Sequence, residues 1–367
     1  MDTIMAVCRT GMEGAGTLSR LDRIKGCLLG GAAGDALGAP VEFLEWNAIQ
    51  ALHGPNGIRD FAPAYGGLGT ITDDTQMMLF TAEGLLRAYV EGSSYGRPHV
   101  PSVIHQALLR WLGTQSCQSK LKVPMDGWLV REPELWARRA PGTTCLRALK
   151  ASQRLGTPAL NNSKGCGAVM RVAACGFFGN AFEFAAMSGR LTHGHPSSYL
   201  TAGLFADILQ RMIDHANTLE DAITESLIVY GNLPGLEETR TLLDRVLFFS
   251  SEGYRPTPDS LAELGGGWVA EEALAIAVWC ALTAESFEEG VIRAVNHSGD
   301  SDSTGLLAGH LLGLQHGFQA IPDRWYRQLE LRNVIERMAA DIERVPRVFC
   351  GCGGRFDEAI LTDYPLI

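Results

Sequence analysis

The sequence contains no long hydrophobic run and no excess of basic residues. No stretch of about eighteen apolar residues occurs, and this excludes a transmembrane helix. Lysine and arginine number 31 against 41 aspartates and glutamates, for a formal net charge of −10. Nucleic acids and anionic membranes repel such a chain. We therefore expect no membrane attachment and no extended nucleic-acid surface.

Strand-like alternation is almost absent, and cysteine pairs at zinc-ligand spacing are missing. Most of the nine cysteines are scattered in apolar runs, as reduced cytosolic thiols are. The close pair Cys350 and Cys352 is too tightly spaced for a zinc half-site, and we interpret it as a C-terminal turn. The stretch 1–19 lacks the apolar core of a signal peptide. These features predict a cytoplasmic protein.

Helical periodicity extends along most of the chain and predicts a single all-α domain. Its expected bounds are 21–345, after a loose leader at 1–20 and before a C-terminal tail at 346–367. A helix is expected after Thr72, and the other predicted helices are 23–37, 103–112, 144–155, 182–191, 197–213, 219–230, 236–249, 269–284, 287–295, 304–316 and 323–344.

Two of these helices carry glycine at every fourth position, along one face. Glycine costs about 1 kcal/mol per helical position relative to alanine, so such a stripe indicates that another backbone approaches closely. We expect the two helices to lie at the centre of the fold, against each other. The glycines are Gly26, Gly30, Gly34 and Gly38 in the first helix and Gly305, Gly309 and Gly313 in the second.

Two short acidic clusters, each expected at a helix N-terminus, carry most of the functional information. The early cluster is Thr72-Asp73-Asp74, and the late cluster includes Asp300, Asp302 and Ser303. Adjacent carboxylates repel one another unless a cation neutralises them, and carboxylate and hydroxyl oxygens are the ligands that Mg²⁺ and Mn²⁺ prefer. The clusters therefore predict a divalent-metal site.

Two other interpretations of the clusters are open. A single first-turn aspartate often does no more than complement the helix dipole. Asp-x-Asp-x-Thr, here 300–304, is also the nucleophile motif of haloacid-dehalogenase-type phosphatases. In those enzymes the motif follows a buried strand near the start of an α/β fold, whereas helical sequence precedes it here and about sixty residues remain, too few for a further α/β domain.

Two further motifs suggest contacts with a ligand. The glycines of Gly165-Cys166-Gly167 precede a helix-like segment, so their backbone N–H groups could hold a phosphate; the alternative is a glycine turn that lets helices pack. Nothing local marks Cys166 as a nucleophile. His193 and His195 lack further zinc ligands nearby, and we favour a hydrogen bond from His193 to substrate over a structural role.

As a set, these elements resemble the ADP-ribosylglycohydrolase family. They occur in the order found in that family and span most of the chain. The segments that carry the resemblance are 30–43 (GGAAGDALGAPVEF), 71–76 (ITDDTQ), 165–171 (GCGAVMR), 192–195 (THGH) and 295–309 (VNHSGDSDSTGLLAG).

The resemblance implies an orthogonal multi-helix fold with two divalent cations, Mg²⁺ or Mn²⁺. Asp35 matches a residue that packs helices, and Glu42 matches an acidic residue that positions metal or substrate. The implied metal ligands are Thr72, Asp73, Asp74, Asp300, Asp302 and Ser303. The implied catalytic residues are Asp73, Asp74, Asp302 and Glu42, and the implied substrate-binding residues are Gly165, Gly167, His193 and Glu42.

The implied activity is metal-dependent cleavage of the glycosidic bond between ADP-ribose and an acceptor. The partner would be an ADP-ribosylated protein or a small ADP-ribose conjugate, and we expect a monomer. A non-catalytic ADP-ribose binder or crystallin-like relative is the alternative. The acceptor itself (arginine, serine, acetyl or nucleobase) stays open. The stretch 141–144 lacks the acidic residue of the Gly-Asp-Thr-Thr loop in the dinitrogenase-reductase enzyme, which argues against the same protein target.

Overall fold

A computed structural model describes residues 18–95, 98–215, 217–350 and 358–366 of the protein. The predicted leader at 1–20 falls mostly outside these residues, and so does Cys352. Within them the fold is all-α, as predicted. The α-helices are α1 Arg20–Gly38, α2 Trp46–His53, α3 Asp73–Tyr95, α4 Val100–Thr114, α5 Thr143–Ala151, α6 Ala181–Arg190, α7 Pro196–Asp214, α8 Leu219–Tyr230, α9 Glu237–Ser251, α10 Pro258–Ala262, α11 Ala270–Leu282, α12 Phe287–Val295, α13 Ser301–His316, α14 Asp323–Gln328, α15 Arg332–Cys350 and α16 Glu358–Asp363.

Helices α1 and α13 form the antiparallel centre of the fold, and their glycine stripes face each other as predicted. A Cβ atom built on Gly34 would lie 2.0 Å from the carbonyl oxygen of Gly305, and one on Gly30 would lie 2.5 Å from that of Gly309. Only glycine permits this approach, because neither backbone has room for a side chain. The C-terminal end of α1 therefore lies beside the N-terminal end of α13.

The other helices surround this pair and bury an extensive apolar core. Helices α11 and α12 pack on α13, α15 packs on α1 and α3, and α3 packs against α4. Large side chains such as Phe80, Trp111, Phe205 and Trp325 are almost completely buried. None of the helices in the described part of the chain is both long and apolar enough to cross a membrane.

The predicted helix 323–344 is wrong as a single element. It is interrupted between α14 and α15, where Leu331 has a left-handed backbone (φ 57°). The N–H of Glu330 donates to the carbonyl of Gly69 at 2.9 Å, and Arg139 pairs with its carboxylate. The interruption lets Glu330 hold the loop before α3, an interaction between segments distant in sequence that helical periodicity does not report.

Two short helices were not predicted from the sequence, and the segment after Gly165 is less helical than expected. Helices α2 and α10 occupy stretches that carried no helix prediction, and only a short 3₁₀ turn, Cys166–Ala168, follows Gly165. Within the predicted tail, α15 continues to Cys350 and α16 packs on it. Ile360 is fully buried, and the Tyr364 hydroxyl donates to Asp341 at 2.7 Å.

Candidate active site

The early and late clusters meet in one place. Helix α3 begins at Asp73, and α13 begins just after Asp300, so both helix N-termini carry their acidic residues to the same point. The hydroxyl of Ser303 donates a hydrogen bond to the carboxylate of Asp74 at 2.7 Å. Segments more than two hundred residues apart are thus in direct contact, as one shared metal site requires.

Glu42 joins the two clusters from the turn that follows α1. Its N–H donates to the carbonyl of Gly38 at 2.9 Å, and Gly38 itself packs against the backbone of Ser301. One carboxylate oxygen from each of Glu42, Asp300 and Asp302 lies within 4.8 Å of the others. The early cluster, the late cluster and Glu42 are together called the acidic site below.

The carboxylates of the acidic site repel one another in a buried setting. Burial, followed by the charges of Asp302, Asp300 and Asp73, raises the pKa of Glu42 to about 11. Burial, followed by the charge of Asp302, also holds the pKa of Asp74 and Asp300 well above the usual range. The pKa of Asp73 rises for the same reasons, opposed by a hydrogen bond from Gly142. A bound cation would relieve this repulsion.

Asp35 is a central support of the acidic site, beyond the helix-packing role implied for it. It is fully buried near the C-terminal end of α1. Its carboxylate accepts hydrogen bonds from the N–H of Thr72 at 3.0 Å and from the N–H of Thr75 at 3.2 Å. Asp35 thereby fixes the first turn of α3 although it lies on α1. The hydroxyl of Thr72, the residue just before α3, accepts only a 3.3 Å bond from the N–H of Asp74.

A second support holds the loop before α3. The guanidinium of Arg139 donates to the carbonyl of Ile71 at 3.0 Å, and Glu330 accepts from the Ile71 N–H at 3.1 Å. The N–H of Asp73 donates to the Arg139 carbonyl at 3.2 Å, and the N–H of Gly142 donates to the Asp73 carboxylate at 3.2 Å. Neither Arg139 nor Glu330 belongs to a local motif, so the sequence pattern did not identify them as site residues.

The Gly165-Cys166-Gly167 loop lies next to the acidic site. The thiol of Cys166 donates to the Asp300 carboxylate at 2.8 Å, and the N–H of Cys166 donates to the Trp268 carbonyl at 3.1 Å. Burial, followed by the charges of Asp300 and Asp74, raises the pKa of this thiol well above its usual range. A thiol in this state is protonated and a poor nucleophile, in agreement with the sequence-based interpretation.

His193 lies beneath that loop and is 1% exposed. A Cβ atom on Gly167 would lie 2.9 Å from its ring, and Nδ1 is 2.8 Å from the Thr192 hydroxyl. Burial, followed by the charge of Arg171, lowers the pKa of His193 to about 3, so the ring is neutral at physiological pH. His195 instead caps α7, where its ring accepts from the N–H of Ser197 at 3.1 Å.

The donor atoms of the acidic site fit a hard divalent cation. The Oε2 atom of Glu42 is buried without a hydrogen-bond partner. The carboxylates of Asp300 and Asp302 each have an oxygen within 4.8 Å of one from Glu42, and when they are ionised they offer no donor to it, whereas a cation could bind them all. Apart from the Cys166 thiol, the side-chain polar atoms of the acidic site are the carboxylate and hydroxyl oxygens that Mg²⁺ and Mn²⁺ take as ligands.

The comparison with known families agrees with this geometry. The model of the ADP-ribosylglycohydrolase family matches residues 17–349. The chain belongs to this family. This membership indicates that the protein is a glycohydrolase that acts on conjugates of ADP-ribose. The all-α fold around Asp300 and Asp302, with no strand among the described residues, argues against the dehalogenase-type phosphatase, which needs a buried strand before the motif.

Individual members of the family resemble the chain along most of its length. The ADP-ribosyl-[dinitrogen reductase] glycohydrolase of Rhodospirillum rubrum is 27% identical, over 85% of this chain and 91% of that protein. The ADP-ribosylarginine hydrolase Tri1 of Pseudomonas putida is 24% identical, over 89% and 80%. A solved ADP-ribosylglycohydrolase-related protein complex is 27% identical with a TM-score of 0.65, and the similarity covers 89% of this chain and 99% of that one.

Proposed function

We propose that the protein is a divalent-metal-dependent hydrolase that releases ADP-ribose from an acceptor on a protein or small molecule. The contact between Ser303 and Asp74 supports this proposal most directly, because it unites the early and late clusters in one site. The proposed ligands are the residues of these clusters. Two cations, Mg²⁺ or Mn²⁺, would supply Lewis-acid activation of a water and a hold on ribose hydroxyls.

Residues of the chain would supply proton exchange and phosphate binding. Asp73, Asp74 and Asp302 are nearly buried, whereas Glu42 is half-buried at the opening of the site. We propose that Glu42 exchanges a proton with the attacking water, since it is the carboxylate that solvent reaches most easily. The N–H groups of Gly165 and Gly167 would bind phosphate, that of Gly165 in place of its 3.3 Å bond to the Ser163 hydroxyl, and His193 would lie beneath them as a neutral hydrogen-bonding partner.

The reaction is a hydrolysis at the anomeric carbon of the ribose. The bond from this carbon to the acceptor breaks through a transition state of oxocarbenium character, and the water oxygen bonds to the carbon. One water proton stays on the new hydroxyl of ADP-ribose, and the other leaves with the acceptor. No oxidant or further reactant is needed.

Release of ADP-ribose, measured by mass spectrometry, tests the proposal. Protein freed of metal with EDTA is given Mg²⁺ or Mn²⁺ and peptides ADP-ribosylated on arginine or serine, or O-acetyl-ADP-ribose. We expect cation-dependent release, and we expect Asp302→Ala to abolish it. Asp323→Asn, at an exposed surface position, is the matched control. Binding of ADP-ribose without hydrolysis of any conjugate would instead support the non-catalytic alternative.

A further inference from the structure

Arg171 is a fully buried arginine next to the Gly165-Cys166-Gly167 loop. Burial lowers the pKa of its guanidinium, which nevertheless stays charged at physiological pH. Among the described residues, no carboxylate lies within 4.0 Å of its nitrogens, the limit for an ion pair. An arginine in a protein interior is almost always paired, because burial removes the water that stabilises its charge. Arg171 therefore lacks the close counter-charge that its burial requires.

The other buried arginines in the described part of the chain each have a carboxylate partner. They are between 0% and 7% exposed. Arg110 and Arg87 share the carboxylate of Glu83, with N–O distances of 3.0 Å and 2.9 Å. Arg139 pairs with Glu330 at 2.7 Å. An ion pair is thus what this fold otherwise provides for a buried guanidinium.

The titratable side chains around Arg171 do not supply the missing charge. The Sγ atom of Cys145 lies 3.8 Å from Nη1, and burial raises the pKa of this thiol to about 11. Burial also raises the pKa of the Cys175 thiol to about 12, so both thiols stay protonated. The ring of His193 is neutral at physiological pH. The charge of Asp73 reaches Arg171 only from beyond ion-pair distance.

The guanidinium of Arg171 joins the glycine loop to α6. Its Nη1 donates to the Gly167 carbonyl at 2.6 Å, and its Nη2 donates to the Ser188 carbonyl at 2.6 Å. Ser188 lies near the end of α6, and His193 follows three residues after that helix. Arg171 therefore fixes the loop relative to the segment that carries His193.

The loop that Arg171 holds has N–H groups to offer to an anion. The Gly165 N–H has only a 3.3 Å bond to the Ser163 hydroxyl, and the Gly167 N–H donates to no other described residue. N–H groups of such a turn attract anions. The charge of Arg171, bonded to the Gly167 carbonyl, adds to this attraction without contact with the ligand, because charges are screened less in a protein interior than in water.

We propose that the counter-charge of Arg171 is the diphosphate of the ligand. Arg171 is then a positioning residue, which holds the glycine loop and draws the diphosphate of an ADP-ribosyl group to it. This inference rests on the proposed function, which supplies such a ligand. The carboxylates of the acidic site repel a diphosphate when no cation is bound, so metal-free binding of a diphosphate needs a positive charge in the protein.

Isothermal titration calorimetry in EDTA, with ADP and adenosine as the two probes, tests the role of this charge. We expect the wild type to bind ADP about tenfold or more tightly than adenosine, as a charged hydrogen-bonding contact predicts. Arg171→Met should lose most of this preference. Its Kd for Mn²⁺, measured without EDTA, should stay within about twofold or become tighter, because a positive charge near Asp73 is removed.

Two further variants separate the charge from the structural role of the side chain. Arg171→Lys keeps the charge and loses the planar fork that reaches two carbonyls. We expect it to retain most of the preference for ADP, although its Tm falls about as far as that of Arg171→Met. Arg110→Met, at a buried arginine paired with Glu83, is the matched control. It should lower the Tm and leave the ratio of the two affinities unchanged.

The outcomes that contradict the inference are distinct from a failure of the proposed function. Equal losses of affinity for ADP, adenosine and Mn²⁺ in Arg171→Met would leave Arg171 a structural role only, and so would an Arg171→Lys protein that lacks the preference. If neither variant folds, the wild type decides, because equal binding of ADP and adenosine in EDTA would overturn the inference. A wild type that prefers ADP but hydrolyses no conjugate would refute the proposed function and support the role of Arg171.

Discussion

The carboxylate of Asp35 accepts hydrogen bonds from both the backbone N–H and the hydroxyl of Thr75, at 3.2 Å and 2.5 Å. Asp35 lies on α1, and Thr75 lies on the first turn of α3. A carboxylate from one helix therefore satisfies N–H groups that the start of another helix leaves without partners. The same bonds fix the direction of Asp73 and Asp74, which lie between Thr72 and Thr75.

We predict that Asp35→Asn weakens divalent-cation binding by about 10- to 100-fold, the usual cost of losing a residue that orients metal ligands. The amide places N–H donors against the donors of Thr72 and Thr75 and removes the charge. Titration with Mn²⁺, followed by electron paramagnetic resonance, measures the affinity. Asp22→Asn, near the opposite end of the same helix, should leave it unchanged. Unaltered binding in Asp35→Asn would contradict the supporting role.

The glycine contact between α1 and α13 leads to a second prediction. A Cβ atom on Gly34 would lie 2.0 Å from the oxygen of Gly305, so Gly34→Ala must push the helices apart. Although alanine favours the helix by about 1 kcal/mol, overpacking of this kind costs about 1–3 kcal/mol, occasionally more. We expect a lower Tm, and also weaker cation binding because α13 carries Asp302.

Gly179→Ala is the matched control for that variant, since nothing lies within 4 Å of the added Cβ atom. Its Tm, measured by circular dichroism, should match that of the wild type. A Gly34→Ala protein as stable as the wild type would mean that the helices separate at no cost, and the close packing would then not explain the glycine stripes.

The features that could be predicted from the sequence are those encoded locally. Glycine at every fourth position indicates the contact between α1 and α13, and the pair Asp73-Asp74 at a helix start indicates the acidic site. Asp35 was the only charge in the second half of an apolar helix, a signal that it needs a buried partner. That signal could have identified Asp35 as a functional residue. Its role in holding the start of α3 depends on the folded chain, which brings Thr72 and Thr75 to it.

Other features depend on contacts between distant segments. The end of α14 is set by Glu330 holding the loop near Gly69, against the local helical pattern. The stacking of Phe43 on Trp268 joins two turns that only the folded chain brings together. Neither leaves a periodic trace in the sequence, so propensity and spacing could not reveal them.

Cys166 gives a third prediction, which separates a hydrogen-bonding role from a nucleophilic one. Its thiol donates to Asp300, and Cys166→Ser keeps a donor at this position. We expect the serine variant to retain most of its activity and cation affinity. Cys166→Ala should lose roughly tenfold in cation affinity, as loss of a hydrogen bond to a charged group predicts. Cys117→Ser is a control away from the acidic site.

Activity assays with Mn²⁺ and calorimetric titrations check these values. If Cys166→Ser were as inactive as Asp302→Ala, the thiol would be taking part in the chemistry. Equal cation affinity in the serine and alanine variants would show that its hydrogen bond to Asp300 is unimportant for the site.

The raised pKa values of the acidic site predict how pH and cations act on stability. An ordinary carboxyl in the unfolded chain titrates near pH ~4, whereas the pKa of Asp35 is about 7 in the native protein, through burial and the charge of Asp302. The pKa values of Asp73, Asp74 and Asp300 also lie well above the usual range. As pH rises above ~4, the unfolded chain releases protons that the cation-free native protein retains, so unfolding becomes more favourable.

We therefore expect the Tm in EDTA to fall between about pH 5 and about pH 8, since the stability of the native carboxyls is lost across that window. A cation replaces the retained protons, so Mg²⁺ or Mn²⁺ should raise the Tm more at the higher pH. At about a hundredfold excess over Kd, the stabilisation is about 2.7 kcal/mol. Differential scanning calorimetry measures it, and Asp302→Ala should lose the increment while Asp323→Asn keeps it. An equal increment at both pH values would mean that cation binding is not coupled to the carboxyl protons, and the acidic site would then not be where the cation binds.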